Sequence, residues 1–209
     1  MNESFSIWVV IPAYNEEHMI GKVVREVASF VSAVLVVDDF SRDATAMQAA
    51  EAGARVTLKQ GADIIVHFDA DGQHSAQDIP SLIQPIREEK VDIVLGSRFL
   101  KKNDIPFVRR LFLQGAILFT WFFSGILLTD AQNGLRAFSR KGAQAVIIKE
   151  NRFAHASEII HHIAQSKLRY VEIPATVRYT KYSVGRGDSS VKRMLQVVGR
   201  LVWKKLFAD

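Results

Sequence analysis

Short apolar runs alternate along the first half of the chain with segments whose apolar residues recur at helical spacing. Trp8 to Ile11 is a continuous apolar run that stops at Pro12, and it predicts a buried strand. From Glu16 to Val31, the residues Ile20, Val23, Val24 and Val27 fall on one helical face. Val34 to Val37 predicts a second buried strand, ending in Asp38 and Asp39. The Ala-rich stretch Asp43 to Ala52 predicts a helix, with Gly53 as its stop. Asp63 to Phe68 predicts a strand ending at Asp69, and Gln77 to Glu89 a helix that tolerates Pro80 in its first turn. Val91 to Leu95 predicts a strand running into Gly96-Ser97-Arg98. Strands alternating with helices predict an α/β domain on a largely parallel central sheet. Its polar residues cluster just past the strand ends, where open α/β sheets hold their ligands.

The second half has a different texture. Leu111 to Leu128 is a run of 18 residues without a charge, at the lower edge of what spans a bilayer as a helix. Gln114, two glycines and the internal position favour a buried or interfacial helix instead. A turn at Asp130 to Gly134 follows, then a helix around His155 to Gln165, a strand at Tyr170 to Ile173 and a Gly/Ser-rich basic loop at Ser183 to Ser190. Val191 to Phe207 predicts an amphipathic basic helix, so residues 1–190 are expected to form the main domain and 191–209 an appendage.

Composition narrows the function classes. A chain of 209 residues, 48% hydrophobic and 23% charged, suits a globular domain with a substantial core and argues against disorder. It has no cysteine, which rules out disulfides and thiolate metal sites and fits a reducing compartment. No signal peptide is visible, because Glu3 leads straight into a strand-like run. The net charge of +5 suits an anionic partner: nucleic acid, acidic lipid or a phosphorylated substrate. No nucleic-acid recognition motif accompanies it. A dinucleotide-binding dehydrogenase is disfavoured by the lack of Gly-x-Gly-x-x-Gly after the first strand, and a nucleotidyltransferase by the lack of a glycine-rich N-terminal loop with a basic pair.

The candidate chemistry centres on Asp69-Ala70-Asp71-Gly72. At a strand end, residues two apart point to the same side, so both carboxylates can face one cation. Hard oxygen ligands suit Mg²⁺ or Mn²⁺, which keep positions open for phosphate oxygens. Taken alone, the same four residues are equally ordinary turn chemistry. Four further motifs surround them in order: VIPAYNEE (Val10 to Glu17), VVDDFSRDAT (Val36 to Thr45), GSRF (Gly96 to Phe99) and TDAQNGLRAFSR (Thr129 to Arg140). With DADGQH (Asp69 to His74), the series resembles the family 2 glycosyltransferases of the GT-A nucleotide-diphospho-sugar transferase fold, above all the polyprenyl-phosphate sugar synthases.

The resemblance implies roles for particular residues. Pro12, Ala13, Tyr14 and Glu16, with Val37 and Asp39, would line the base and ribose pocket, while one of Asp38 and Asp39 is also a candidate helix cap. Asp69, Asp71 and Gln73 would hold the metal, with Ala70 packed near the nucleotide. Arg98 would contact a donor or acceptor phosphate, and Asn133, Gly134 and Arg136 would shape the sugar and acceptor side. His74 is read as a cap or a neighbour of the metal site, and His161 and His162 as structural.

The acceptor can be argued from chemistry. A lipid phosphate is already an anionic nucleophile and needs cations rather than a base; Arg109, Arg110, Arg178, Lys181 and Arg186 are the candidates. A sugar hydroxyl would need a carboxylate base, for which Asp130 and Glu158 are the candidates. The catalytic set is therefore Asp71 and Arg98, with Asp130 or Glu158. Lys101, Lys102, Arg109 and Arg110 precede the apolar helix, and Arg193, Arg200, Lys204 and Lys205 stud the C-terminal one. That pairing suits peripheral contact with the inner face of the cytoplasmic membrane. The expected activity is hexose transfer from a GDP- or UDP-sugar to polyprenyl phosphate, with inversion. Transfer to a glycan hydroxyl, and a non-catalytic nucleotide-sugar-binding module, stand beside it.

One departure from the family pattern supports that last reading. Between Asp39 and Asp69 the family has a further edge strand, a glycine-containing loop and a helix. Here Arg55 to Leu58 is followed by only the five residues Lys59 to Asp63, which span at most ~17 Å. A parallel crossover needs about a dozen or more. Either the strand is absent and Asp43 to Ala54 forms the crossover, or the segment is rearranged.

Overall fold

The computed structural model describes residues 5–54, 62–146, 154–166 and 168–179. Six strands form one sheet: β1 (Ile7–Ala13), β2 (Ala33–Asp38), β3 (Ile64–His67), β4 (Ile93–Ser97), β5 (Arg136–Ser139) and β6 (Tyr170–Pro174). Their order is β2-β1-β3-β5-β4-β6, with β1 parallel to β2 and β3, and β4 parallel to β6. Only β5 runs the other way, wedged antiparallel between β3 and β4. This is the expected α/β architecture with a mostly parallel sheet. β5 is the strand that periodicity did not predict: four residues, Arg-Ala-Phe-Ser, are too short and too polar at both ends to read as a buried run.

Helices cover both faces. α1 (Ile20–Ala28) and α3 (Ile79–Arg87) bury Ile20, Val23, Val24, Val27, Ile79, Leu82, Ile83 and Ile86 against Val9, Ile11, Val34, Ile64, Val66, Val94 and Ala137 of the sheet. On the other face, Ile159, Ile160 and Ile163 of α6 (Ala154–Gln165) pack on Ile93, Leu95 and Phe138. Because side chains alternate along a strand, β4 sends Val94 to one core and Ile93 and Leu95 to the other. α5 (Arg140–Ala145) follows β5 directly, capped by the Ser139 hydroxyl, which accepts from the Gly142 amide.

α1 starts at Ile20, four residues later than periodicity suggests, because side chains of the loop after β2 take up the preceding amides. The Asn15 amide donates to Ser41 Oγ (2.9 Å), Glu16 to Thr45 Oγ1 (2.7 Å) and Glu17 to Asp43 Oδ2 (3.3 Å). These bonds lash the ends of β1 and β2 together. α2 (Thr45–Glu51) then begins the crossover from β2 past β1 to β3. Among the described residues β2 is the edge of the sheet, and α2 is the helix of the short crossover. Residues 55–61 lie outside the described residues.

α4 (Phe107–Ser124) begins after Pro106 and ends at Gly125, whose left-handed φ of 72° suits glycine. It buries Leu113, Ala116 and Thr120 and lies against α6, while Phe107, Val108, Leu111, Leu118, Trp121 and Phe122 stay exposed. No helix among the described residues is long and apolar enough to cross a membrane. The expected basic loop at 183–190 and the C-terminal helix from Val191 lie outside the described residues.

Candidate functional site

The strand ends converge on a short loop after β3. The Phe68 amide donates to Val10 O (3.0 Å), carrying the chain out of the sheet beside β1. Alternation then puts Asp69 on the same side as His67, and register sets His67 opposite Arg136 of β5. The loop closes tightly. Asp71 Oδ1 accepts from the Gln73 amide (3.0 Å), and Gly72 between them has φ 71°; a Cβ there would collide with the Met19 side chain. Asp69 Oδ2 lies 2.9 Å from His74 Nε2, and Asp69 Oδ1 lies 3.9 Å from His67 Nδ1. Gly134 backs directly on the Asp69 carboxylate, where any Cβ would overlap it.

The two carboxylates are driven apart in acidity. Burial opposes the Asp69 charge, but the hydrogen bond and charge of His74, with the charges of His67 and Arg136, outweigh it and hold the carboxyl far below its usual range. Burial and the neighbouring Asp69 charge push Asp71 up. Asp71 is therefore an acceptor short of positive charge. Burial also pulls the Arg136 guanidinium down to about 10, against the attraction of Asp69 and Asp130. It stays charged at neutral pH.

The donor set fits a hard divalent cation. Asp69 and Asp71 present carboxylate oxygens, and the Gln73 amide side chain has no hydrogen-bond partner among the described residues although the residue is only 8% exposed. Among the described residues no group of three or more His, Cys, Asp or Glu could hold a metal ion, so an ion here would rest on the two carboxylates and the Gln73 side chain. An ion held by so few protein oxygens would leave positions for water or phosphate oxygens, as Mg²⁺ and Mn²⁺ require.

A second acidic centre, at the end of β4, is built in the opposite way. Asp130 Oδ2 accepts from Arg98 Nε (2.6 Å) and the Arg98 amide (3.0 Å), Asp130 Oδ1 from the Gln132 amide (3.2 Å), with Asn133 Nδ2 at 3.5 Å from Oδ2. The Arg98 and Asp130 side chains are 4% and 1% exposed. Arg98 also donates through Nη2 to Gln132 O (2.9 Å) and through Nη1 to Tyr179 Oη (3.4 Å). Burial works against the Arg98 charge, but Asp130 and Tyr179 outweigh it and hold the guanidinium above its ordinary value. Asn133 (2% exposed) accepts from the Leu135 amide, and Arg136 Nε donates to the Asn133 carbonyl (3.1 Å). Arg98, Asp130 and Asn133 are thus brought together and bound to each other.

A strap after β6 ties both centres. The Ala175 amide donates to Ser97 O (2.9 Å), Thr176 to Asp78 Oδ2 (2.6 Å) and Val177 to Asn103 Oδ1 (2.9 Å). Asn103 Nδ2 donates back to Arg98 O (2.8 Å) and Ala175 O (3.0 Å). Val177 bridges to His74, and the Arg178 amide donates to Gln73 O (2.8 Å). The Arg178 guanidinium reaches Ser75 Oγ (3.3 Å), and Arg109, from the first turn of α4, lies over the Tyr179 ring at 5.2 Å. The Arg109 charge acts on Asp71, while the Arg178 guanidinium also lies 3.9 Å from Glu26 Oε1 of α1. Asn103 and Tyr179 carry no motif, so pattern alone did not single them out. Arg110 is exposed on α4; Lys181 and Arg186 lie outside the described residues. Glu158 belongs to α6, and its side chain also lies outside what is described.

The remaining candidates gather at the ends of β1 and β2. Pro12 pairs with Val37 in register, and the Asp39 amide donates to Ala13 O (2.9 Å). Tyr14 (51%) and Val37 (49%) are unusually exposed for their type, Pro12 and Asp39 are exposed, Glu16 is half-buried, and Ala13 and Ala70 are buried. Asp38 braces the turn through Ser41 and does not cap α2. Asp39 is left open beside the exposed apolar surface.

Known proteins match this arrangement. The sequence model of "Glycosyl transferase family 2" matches residues 8–61 and 53–147, two pieces that meet where the chain is short. The chain is 34% identical to an uncharacterized protein of Methanocaldococcus jannaschii, over 96% of this chain and 93% of the relative. It is 32% identical to the UDP-N-acetylglucosamine–dolichyl-phosphate N-acetylglucosaminyltransferase of Methanococcus voltae, over 88% and 90%. It is 29% identical to the undecaprenyl-phosphate mannosyltransferase of Micrococcus luteus, over 81% and 82%. In fold it is similar to glucosyl-3-phosphoglycerate synthase from Mycobacterium tuberculosis, solved in complex with Mn²⁺, UDP and glucosyl-3-phosphoglycerate. The TM-score is 0.61 at 19% identity, over 93% of this chain and 78% of that one. With the family's motifs in order along the chain and its sequence model matched across residues 8–147, this chain belongs to the family 2 glycosyltransferases.

Proposed function

We propose that the protein transfers a hexose, with inversion, from a GDP- or UDP-sugar to polyprenyl phosphate. The observation that carries this is the contrast between its two acidic centres. Asp69 and Asp71 keep oxygens for a cation near Arg109, whereas Asp130 is consumed by Arg98. A carboxylate whose oxygens are spent on a buried arginine is a poor general base for a sugar hydroxyl. A phosphate acceptor needs no base, only cations to gather it, and Arg109 stands within reach of Asp71. Relatives named for dolichyl-phosphate and undecaprenyl-phosphate acceptors support the same acceptor class.

In this reading Asp69, Asp71 and Gln73 hold Mg²⁺ or Mn²⁺, which when bound neutralises charge on the departing diphosphate. Pro12, Ala13, Tyr14, Glu16, Val37, Asp39 and Ala70 receive the nucleoside. Arg98 and Asp130 act as a buried strut that sets the floor of the acceptor side with Asn133 and Arg136. Arg109, Arg110 and Arg178 gather the acceptor phosphate, with Lys181 and Arg186 further along the same segment. The exposed apolar stripe of α4, beside Arg109 and Arg110, suits peripheral contact with an anionic membrane face.

The test is direct. Protein incubated with Mn²⁺ or Mg²⁺, undecaprenyl phosphate and labelled UDP-N-acetylglucosamine, UDP-glucose or GDP-mannose should yield one labelled lipid that EDTA abolishes. Donor hydrolysis or transfer to a glycan without labelled lipid would reject the acceptor. Donor binding without any turnover would favour a non-catalytic module, the reading that the seam at residues 53–61 supports.

A further inference from the structure

His74 is buried in a way that packing alone does not require. Its side chain is 3% exposed and its ring meets Phe68 edge-on, with centroids 5.7 Å apart. Nε2 lies 2.9 Å from Asp69 Oδ2, while Nδ1 is buried with no hydrogen-bond partner among the described residues. The position of the hydrogen follows from these contacts. With hydrogen on Nδ1 alone, a buried donor would lack an acceptor and the Nε2 lone pair would face a carboxylate lone pair. With hydrogen on Nε2, the ring donates to Asp69. An apolar ring of similar shape would fill the space against Phe68 without a buried orphan nitrogen, but it would take from Asp69 Oδ2 its donor. The fold carries the orphaned Nδ1 in exchange for the Nε2–H. The backbone beneath is held from the far side as well, since His74 bridges to Val177 and the adjacent Gln73 carbonyl accepts from Arg178. The Nε2–H is therefore a fixed donor aimed at one oxygen of Asp69.

We propose that His74 is a positioning residue for the divalent cation: by holding Oδ2 of Asp69 it sets the carboxylate's rotamer and leaves the second oxygen for the metal. This rests on the reading of Asp69 and Asp71 as metal ligands. Among the described residues Oδ1 accepts no hydrogen bond: His67 Nδ1 lies 3.9 Å away and makes its close contact with Gly134 O at 2.7 Å. The missing Cβ of Gly134 gives the carboxylate room to sit so. His74 thus links the acceptor-side strap to the metal ligand through one peptide unit.

The experiment measures Mn²⁺ binding by water-proton relaxation, with saturating UDP or GDP, for the full chain and for His74→Phe, His74→Leu and His74→Gln. Melting temperatures are taken without metal. His74→Phe keeps the ring's bulk and removes the donor; it should stay folded, with a lower metal-free melting temperature for the lost contact to Asp69, and bind Mn²⁺ roughly 10- to 100-fold more weakly. His74→Gln offers its side-chain amide N–H where Nε2 was and should stay within about threefold of wild type. His74→Leu should follow His74→Phe, which keeps the test intact if the phenylalanine does not fold. Wild-type affinity in either apolar variant overturns the proposal, and so does a folded His74→Gln that binds as weakly as they do. A wild-type chain that binds no Mn²⁺ with either nucleotide fails earlier, at the metal reading itself.

Discussion

The loop after β3 and the turn before β5 each carry aspartate within electrostatic reach of a buried arginine, and they use it in opposite ways. Asp130 is saturated: both oxygens accept hydrogen bonds, Arg98 neutralises it, and 1% of the side chain meets solvent. Asp69 is 37% exposed, and Asp71 is pushed up in pKa by burial and by Asp69, with no guanidinium bonded to either among the described residues. A buried carboxylate with its counter-charge in place is scaffold. Asp71, raised by burial and by Asp69, is the carboxylate that lacks one, and a cation would supply it.

Breaking the saturated centre should have the largest effect. Asp130→Ala leaves the Arg98 guanidinium buried and unpaired, so urea unfolding should show a loss of about 3–5 kcal/mol. A loss under about 1 kcal/mol would mean that the pair is dispensable. Asp71→Asn should do the reverse. It removes a charge that repels Asp69 while an amide oxygen can still accept from Gln73, so the metal-free melting temperature should hold or rise. Turnover should fall about 100-fold or more, roughly 2.7 kcal/mol of transition-state stabilisation. A stability loss together with retained turnover would reverse the assignment of the two centres.

The smallest effect concerns acid, and a third aspartate. Asp92 is 5% exposed and accepts from the Arg169 amide (3.0 Å) and Lys141 Nζ (3.3 Å). Burial opposes its charge, but these partners outweigh it and hold its pKa below 3.8. A depressed carboxylate contributes stability that is full above its unfolded pKa, near about 4, and is lost as pH falls through the lower folded value. Asp92→Asn should therefore be less stable than wild type at pH 7, and the gap should narrow below about pH 4. A gap that is independent of pH down to about 2 would deny the ionic contribution.

Much of this was legible in the chain itself. Apolar runs at Trp8, Val34, Ile64 and Ile93 became parallel strands because burial on both faces demands continuous hydrophobicity, as Val94 and its neighbours Ile93 and Leu95 illustrate by feeding two separate cores. The i, i+2 spacing of Asp69 and Asp71 told their shared side, since strand geometry is local. The short run to β3 was equally plain from chain reach, and the family match divides at the same place. Other features were beyond local pattern. Four residues of β5 are a strand only because β3 and β4 stand on either side to pair with them. Asn103 and Tyr179 matter through partners more than 70 residues away in sequence, at Ala175, Val177 and Arg98. That Asp130 is spent while Asp71 is open could not be read from either residue, because charge compensation depends on which arginine the fold delivers. Local composition determined the strands, the helices and the position of the carboxylates; which carboxylate remained available for chemistry was decided by long-range packing, where burial makes every unpaired charge count.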